Sequence, residues 1–575
     1  MDLDPGDVPE LRHSVAAFLR DLQGHLPETE IVVIVGMAAG ADLLVAQTAL
    51  DLGVRVEAVL PMPLEHYAED FDADTLRLLK SLLARADVRC TELQPPPHRG
   101  GDASHAQHRD RLYANLTETL IRRSSLLLAL WDGQSSPLPG GTTDTVLRFL
   151  GVRSDASHAA EGIALVESAE DSDSTHERLV YWIPAARSSG APADPLRRPC
   201  FLRSVGENEL LMQPSMPASL AFQLAGLNRY NREYRELVDA GSLGNADSLL
   251  TALIAETPPR ERLLLEEINA QYVKADLLAI HYQRRSERLF RLFAATTFAL
   301  GLAYLIYEKL DESRMLLVAY VVILLGSLGV YYALRNRHWF AKHLSYRALA
   351  ETIRAKFYLR LAGVDHRVNA SEVLALSGID RFHGFGWISY VLAGVEAPDV
   401  HAEASHDPDL RRTRSVELHW IESQHRYFTS KVARLGRSSH RLKMLRNALF
   451  VIILVVIMVL FLFGERMGGE GVGGEGTHPG IPLKNLLTFF MGFLAVLLGV
   501  WELHQNKMAT RELLWQYRNQ LAHFARARLE LRRFLTPHRR HEVLVSLGRD
   551  SLMECYLWTI HRYHREHEPP AGHGG

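Results

Sequence analysis

Two short stretches carry residue types suited to chemistry. The first is Gly36-Met37-Ala38-Ala39-Gly40-Ala41-Asp42. Small residues let a backbone approach a ligand closely, and open N–H groups at a helix start favour anions. Asp42 falls in the first helical turn, where it either caps that turn or accepts hydrogen bonds from a ribose hydroxyl. The second stretch is Asp132-Gly133 followed by Gly140-Gly141-Thr142-Thr143-Asp144. Gly140 and Gly141 expose backbone donors, and Thr142 and Thr143 add hydroxyls at a helix start, a combination suited to phosphate. The alternatives are a tight structural turn for the first and a loop with an N-cap for the second. For hydrolysis, Asp42, Asp132 or Asp144 would have to act as acid, base or charge stabiliser, and no carboxylate pair with a positioned partner is readable.

Other chemistries find less support. There are 27 histidines, scattered; His105 and His108 are expected to share a loop, without a third metal ligand at fitting spacing. Cys90, Cys200 and Cys555 lie far apart with no CxxC pair, which excludes a disulfide scaffold and a zinc ribbon and fits a reducing compartment. A net charge of −3 gives no basic excess for nucleic acid. The N-terminal stretch lacks a basic region followed by an apolar one, so no secretory signal is expected.

The elements that must position the two stretches read as α/β over residues 1–203. Ile31–Val35 is a β-branched run, expected to be a strand buried on both faces. Ala41–Leu52 has helical spacing, and Arg55–Leu60 is a second strand, giving a strand–helix–strand unit with a parallel pair. A helix over Thr75–Ala86 capped by Asp74, another over Asp110–Ser124, a strand at Ser125–Trp131, a helix from Thr142 to Phe149 and a last strand at Leu179–Ile183 follow. Ser135–Gly141 is a Pro/Gly loop, and Val152–Glu177 is an acidic surface excursion. The two turns then sit on adjacent strands of one sheet, at the carboxyl edge where open α/β sheets bind ligands.

The remainder is helical. Leu289–Tyr307 (19 residues) and Met315–Leu334 (20 residues) are apolar, separated by a polar loop, Glu308–Arg314. Ala448–Gly464 and Leu486–Trp501 form a second apolar pair around a Gly-rich loop, Met467–Ile481. A bilayer core needs roughly 20 helical residues, so four spans in two hairpins are expected. Arginines and lysines crowd the hairpin bases, which places both termini and the α/β domain in the cytoplasm of an inner, plasma-membrane protein. The basic stretches read as lipid-headgroup anchors. The hairpins share a layout of basic helix, two spans and basic helix, with Tyr346-Arg347 and Tyr517-Arg518 in the two leaving helices. The expected organisation is a ligand-binding domain at 1–205, a helical connector at 206–280, the first hairpin at 281–365, a cytoplasmic helical linker at 366–440, the second hairpin at 441–535, and a C-terminal helix with a disordered tail at 536–575.

The stretch GMAAGADLLVAQTALDLGVRVEAVLPMPLEHYAEDF, then LLLALWDG, GGTTDTV and LVYWIP, closely resembles the SLOG domains, Rossmann-like relatives of the DprA and LOG proteins and of the N-terminal region of melastatin-type TRP channels. The resemblance covers about residues 1–190. It implies sensing or processing of a nucleotide-derived or ADP-ribose-like phosphorylated signal, with Gly36, Met37, Gly40 and Asp42 in one ligand-contacting turn, Asp132, Gly133, Gly140, Gly141, Thr142 and Thr143 in the other, and Tyr67 and Phe71 nearby. SLOG domains open with a strand and a Gly-His-Arg-type turn; this chain starts at MDLDPG, so either that turn lies upstream or one pocket edge is missing. LOG enzymes carry PGGxGTxxE, whereas this chain has GGTTD, with Asp144 where a catalytic Glu would stand. KADLLAIHYQRR, two apolar blocks and SYRALAETIRAKF resemble the SLATT two-span effector modules of bacterial conflict systems. Together the resemblances imply a homo-oligomeric, ligand-gated membrane effector of antiphage defence. The alternative is a membrane-tethered enzyme cleaving a nucleotide N-glycosidic bond. In the spans, Thr296, Thr297, Gly301, Gly326 and Ser327 are candidates for packing or pore faces.

Overall fold

The structure is a computed structural model. It describes residues 3–93, 105–134, 140–152, 164–167, 178–186, 198–206, 209–241, 254, 257, 259–379, 384–396, 410–463, 471–472, 481–507, 510–533 and 536–566. Most of the Pro/Gly loop, most of the acidic excursion, most of the Gly-rich loop and the tail past 566 lie outside those residues. The chain forms two compact units. One gathers Met1–Lys274, Glu351–Thr413 and Pro537–Met553; the other gathers Ala275–Ala350, Arg414–Thr536 and Glu554–Gly575.

The first unit is α/β. Helix α1 (Val8–His25) precedes β1 (Val32–Val35), α2 (Ala41–Asp51), β2 (Arg55–Leu60), the single turn α3 (Leu64–Tyr67), α4 (Ala73–Leu83) and β3 (Val88–Glu92). These three strands are parallel, with β2 in the middle. That position explains their burial: Val56 to Leu60 of β2 are inside, whereas β1, at the end of the ladder, fully buries only Val35. Glu57 sits mid-strand in β2 because Arg123 meets its carboxylate with two hydrogen bonds of 2.8 Å. The N-cap of α4 is Asp72, which accepts from the Asp74 and Thr75 amides, so the helix starts ahead of the expected cap at Asp74.

Helix α5 (His105–Arg123), β4 (Leu127–Trp131), α6 (Thr142–Phe149), β5 (Ala164–Glu167), β6 (Val180–Pro184), β7 (Cys200–Ser204), β8 (Glu209–Gln213) and α7 (Ala218–Asp239) follow. The second sheet has the order β4-β6-β7-β8-β5. Pairs β4–β6 and β5–β8 are parallel, and β6–β7 and β7–β8 antiparallel. Leu179–Ile183 is therefore not the last strand, and the acidic excursion contains the edge strand β5. Among the described residues no ladder joins β1 to β4, so the two glycine turns belong to separate hydrogen-bonded sheets, a correction to the single-sheet expectation. The sheets nevertheless share a core in which Val35, Val56 and Leu60 pack with Leu130 and Ile183 beneath Leu11, Val15 and Leu19 of α1. Each such buried side chain contributes roughly 1.5–3 kcal/mol. A second cluster places Trp131 and Trp182 against Val146, Leu147 and Phe149 of α6.

The second unit is helical. Among the described residues four helices are long and apolar enough to cross a membrane: Arg262–Lys309, Arg314–Leu334, Arg412–Phe463 and Leu483–Leu503. The first belongs to α8 (Pro259–Lys309), which begins in the first unit and spans 51 residues. Helix α9 (Arg314–Leu334) returns, and after a turn at 335–337 and His338 in left-handed conformation (φ 47°) α10 (Trp339–Leu361) leaves. In the second hairpin α13 (Ser423–Phe463) and α14 (Leu483–Lys507) are followed by α15 (Thr510–Leu531); α11 (Ala370–Ser377) and α12 (Ile388–Gly394) of the first unit precede them, and α16 (Pro537–Glu566) closes the described chain. Both leaving helices use their Tyr-Arg tyrosine alike: Tyr346 faces Tyr282 of α8 at 5.7 Å, and Tyr517 faces Phe428 of α13 at 5.8 Å. Arg347 adds a 3.1 Å ion pair with Asp276.

Candidate functional site

Both glycine turns are closed by the same device. The Ala38 N–H donates to Asp42 Oδ2 at 3.1 Å, and the Gly140 N–H donates to Asp144 Oδ2 at 2.9 Å. In each case a carboxylate in the first turn of a helix reaches back four residues and fixes the loop. Gly40 (φ 84°) and Gly140 (φ 76°) occupy left-handed backbone that a side chain would strain. Gly40 and Gly141 stand at the N-cap positions of α2 and α6, so no side chain caps either helix and the first-turn amides keep their preference for an anion. Asp42 thus closes its turn, in place of the N2 or N3 capping its position suggested. Burial raises its pKa above the usual carboxylate value, opposed by the hydrogen bond from Ala38.

The wall common to the two turns is α5. A Cβ at Gly36 would lie 2.8 Å from Leu116, and one at Gly140 would lie 3.0 Å from the Tyr113 carbonyl carbon, so both glycines are needed for α5 to approach. Thr117 faces the Gly140 carbonyl at 3.4 Å and the Thr145 hydroxyl at 3.3 Å, and Arg148 of α6 pairs with Glu118 at 2.5 Å. Tyr67, fully buried, donates its hydroxyl to the Gly36 carbonyl at 3.1 Å and lies 6.4 Å from the Tyr113 ring. Phe71 packs edge-on against Tyr67. Tyr113 donates to Asp70 at 2.5 Å, and Arg109, one helical turn earlier, pairs with the same carboxylate at 2.5 Å. Burial, then the Asp42 charge, pushes the Tyr67 phenol well up; burial, then the bond to Asp70, does the same for Tyr113. Both remain neutral donors.

The remaining candidates divide by exposure. Gly36, Gly40, Gly140, Gly141 and Thr142 line the closed turns. Met37 is fully buried with φ 59°, so it offers a ligand only its backbone. Thr143 is buried too: its hydroxyl donates to the Gln134 carbonyl at 2.9 Å and accepts from the Trp131 indole at 3.0 Å. Asp132 accepts the Gln134 amide at 3.0 Å beside Gly133 (φ 76°) and so shapes its own turn. His105 and His108 lie at the start of α5, where a loop was expected. Among the described residues no group of three or more His, Cys, Asp or Glu side chains could hold a metal ion. Arg109, Tyr113 and Leu116 are additions the sequence reading did not single out, as is Asp70; the i, i+4 spacing of Arg109 and Tyr113 and the acidic end of HYAEDF were the available signals. Comparison of the chain with protein-family models, curated proteins and solved structures gives no significant match.

Proposed function

We propose that the chain is a membrane effector whose Rossmann-like, SLOG-type unit binds a nucleotide-derived phosphorylated ligand and thereby opens oligomeric SLATT-like hairpins in an inner membrane. The observation that supports this reading is the pair of preformed glycine turns, each with an uncapped helix start, meeting on α5 in a chain that also carries four apolar helices. Basic residues at the hairpin bases put both termini on the cytoplasmic side. A ligand that binds one state more tightly than the other shifts the population toward it, so occupancy of the turns favours the open assembly. Defence against phage by membrane depolarisation is the role this chemistry serves.

The test is a thermal-shift screen of the full chain in detergent with NAD, ADP-ribose and AMP. A stabilised α/β transition without turnover is expected. A Gly141→Glu chain, which puts a carboxylate at the α6 start, should lose the shift and keep its unliganded melting temperature. Reconstituted vesicles should then leak ions with the stabilising compound, and tight vesicles with a proven ligand overturn gating. A hydrolytic second reading draws on the placement of the Asp42 carboxylate in the first glycine turn, bonded to the Ala38 amide, where burial favours the protonated form a general acid needs. Turnover of any of the three compounds, lost in Asp42→Asn, would establish it.

A further inference from the structure

The base of the first hairpin contains an open cleft of about 580 Å³. Arg285, Arg288 and Arg337 line it, together with Leu289, Leu292 and Leu334, and Trp339 completes the lining. Four of these side chains follow i, i+3, i+4, i+7 spacing on α8, so one helix face changes from arginine to leucine as the apolar block begins. The other wall changes at the same point of the hairpin: Leu334 ends α9, and Arg337 follows within the tight turn that leads to Trp339.

The arginines lack internal compensation. Arg285 lies over the Trp339 ring at 5.6 Å, and no carboxylate among the described residues pairs with Arg285, Arg288 or Arg337. Glu287, on the same helix, instead accepts from Gln283 at 2.9 Å. The second hairpin differs, because Arg446 near the start of its apolar block faces Glu502 at 3.8 Å. Three uncompensated cations converging on one cleft repel each other and favour an anion between them, and the leucines favour an alkyl chain beside that anion.

We propose that this cleft holds the phosphodiester of one anionic phospholipid, with an acyl chain lying along Leu289, Leu292 and Leu334. The assignment rests on reading α8 and α9 as spans. The experiment therefore begins with flotation of the full chain on vesicles; a chain that stays at the bottom of the gradient overturns the span reading and the lipid site with it. For a chain that floats, native mass spectrometry from detergent counts retained phosphatidylglycerol against phosphatidylcholine. One phosphatidylglycerol per chain is expected to survive activation that strips phosphatidylcholine. Replacing the two arginines that do not lie over Trp339, Arg288→Gln with Arg337→Gln, should weaken that retention about thirtyfold while flotation persists. The control pair Arg434→Gln with Arg437→Gln should leave it unchanged. Equal loss in both pairs means diffuse surface attraction and overturns the site. Displacement by inorganic phosphate alone, with the double variant insensitive to it, means a free-phosphate site and overturns the lipid.

Discussion

Glu57, Glu396 and Lys356 and the side chains of Arg122 and Arg123 lie inside the first unit, while Phe461, Val322 and Leu325 are exposed in the second, Phe461 with 86% of its surface open. The buried charges are joined: Arg123 grips Glu57, and Glu396 meets both Arg122, at 3.1 Å, and Lys356. Helix α9 has no buried residue. The contrast teaches what each unit requires. A charged interior holds only if every partner stays, because one deletion strands the others in low dielectric. An apolar exterior is compatible with a lipid surrounding, and its helices touch closely at particular glycines. A Cβ at Gly301 would lie 2.6 Å from Val496 and one at Gly492 2.6 Å from Leu305, whereas Gly326 has nothing within 4 Å. The hydroxyls of Thr296, Thr297 and Ser327 bond to carbonyls of their own helices.

The largest effect should come from Glu396→Ala. It leaves Lys356 and Arg122 buried without their anion and should lower the α/β unit's stability by about 3–5 kcal/mol in denaturant melts. An unmoved transition would show that the interior pairs do not stabilise this unit. Next come two glycines, one per unit. Gly140→Val forces a branched side chain into left-handed backbone against Tyr113 and should remove about 1–3 kcal/mol. Gly301→Leu should lose about as much by overpacking against Val496, while Gly326→Leu stays within about 0.5 kcal/mol. Equal losses at Gly301 and Gly326 would erase the difference between a packed and an open face.

The smaller effects depend on pH and should have opposite signs in the two units. His343 of α10, buried with its Nδ1–H donating to the Ala279 carbonyl at 3.1 Å, is pushed down to about 3 by burial. Its contribution is full above the ordinary value of 6.5 and is lost as pH falls toward 3. Protection factors around Ala279 and His343, which are corrected for the intrinsic pH dependence of exchange, should fall by at most about tenfold per pH unit below 6.5. Asp42 runs the other way. Its raised pKa means that stability is fullest below the ordinary 3.8 and declines as pH rises through the raised value, so acid should raise the protection factor at Ala38. In Asp42→Asn, which keeps an acceptor and removes the desolvated charge, that pH dependence of protection should vanish and the neutral-pH melting temperature should rise by about 2–4 °C. A lowered melting temperature would mean that the ionised form is required.

Where punctuation is local, the fold was legible in the chain. Gly40 and Gly53 bracket α2, and Gly141 and Gly151 bracket α6, so both helices could be bounded to within a residue. The four apolar blocks were equally plain, because length and hydropathy need no partner. Strands β5, β7 and β8 were not, since four or five residues of mixed polarity become strands only through the neighbours that pair with them. The site was half legible. Gly36, Gly40, Gly140 and Gly141 announce tight turns, but their meeting place is tertiary, set by Leu116 and Tyr113 of α5, a helix that follows the first turn by two strands and precedes the second by one. The burial of Met37 and Thr143 was illegible for the same reason.

Arg122 and Arg123 are adjacent, yet they grip carboxylates in different parts of the first unit, Glu57 in the middle strand and Glu396 just past α12. Helix α5 is therefore keyed like a shaft with two pins: it cannot roll or slip a residue without stranding both guanidinium groups. Whatever nudges its amino-terminal half, near Tyr113 and Arg109, must carry the whole cylinder along.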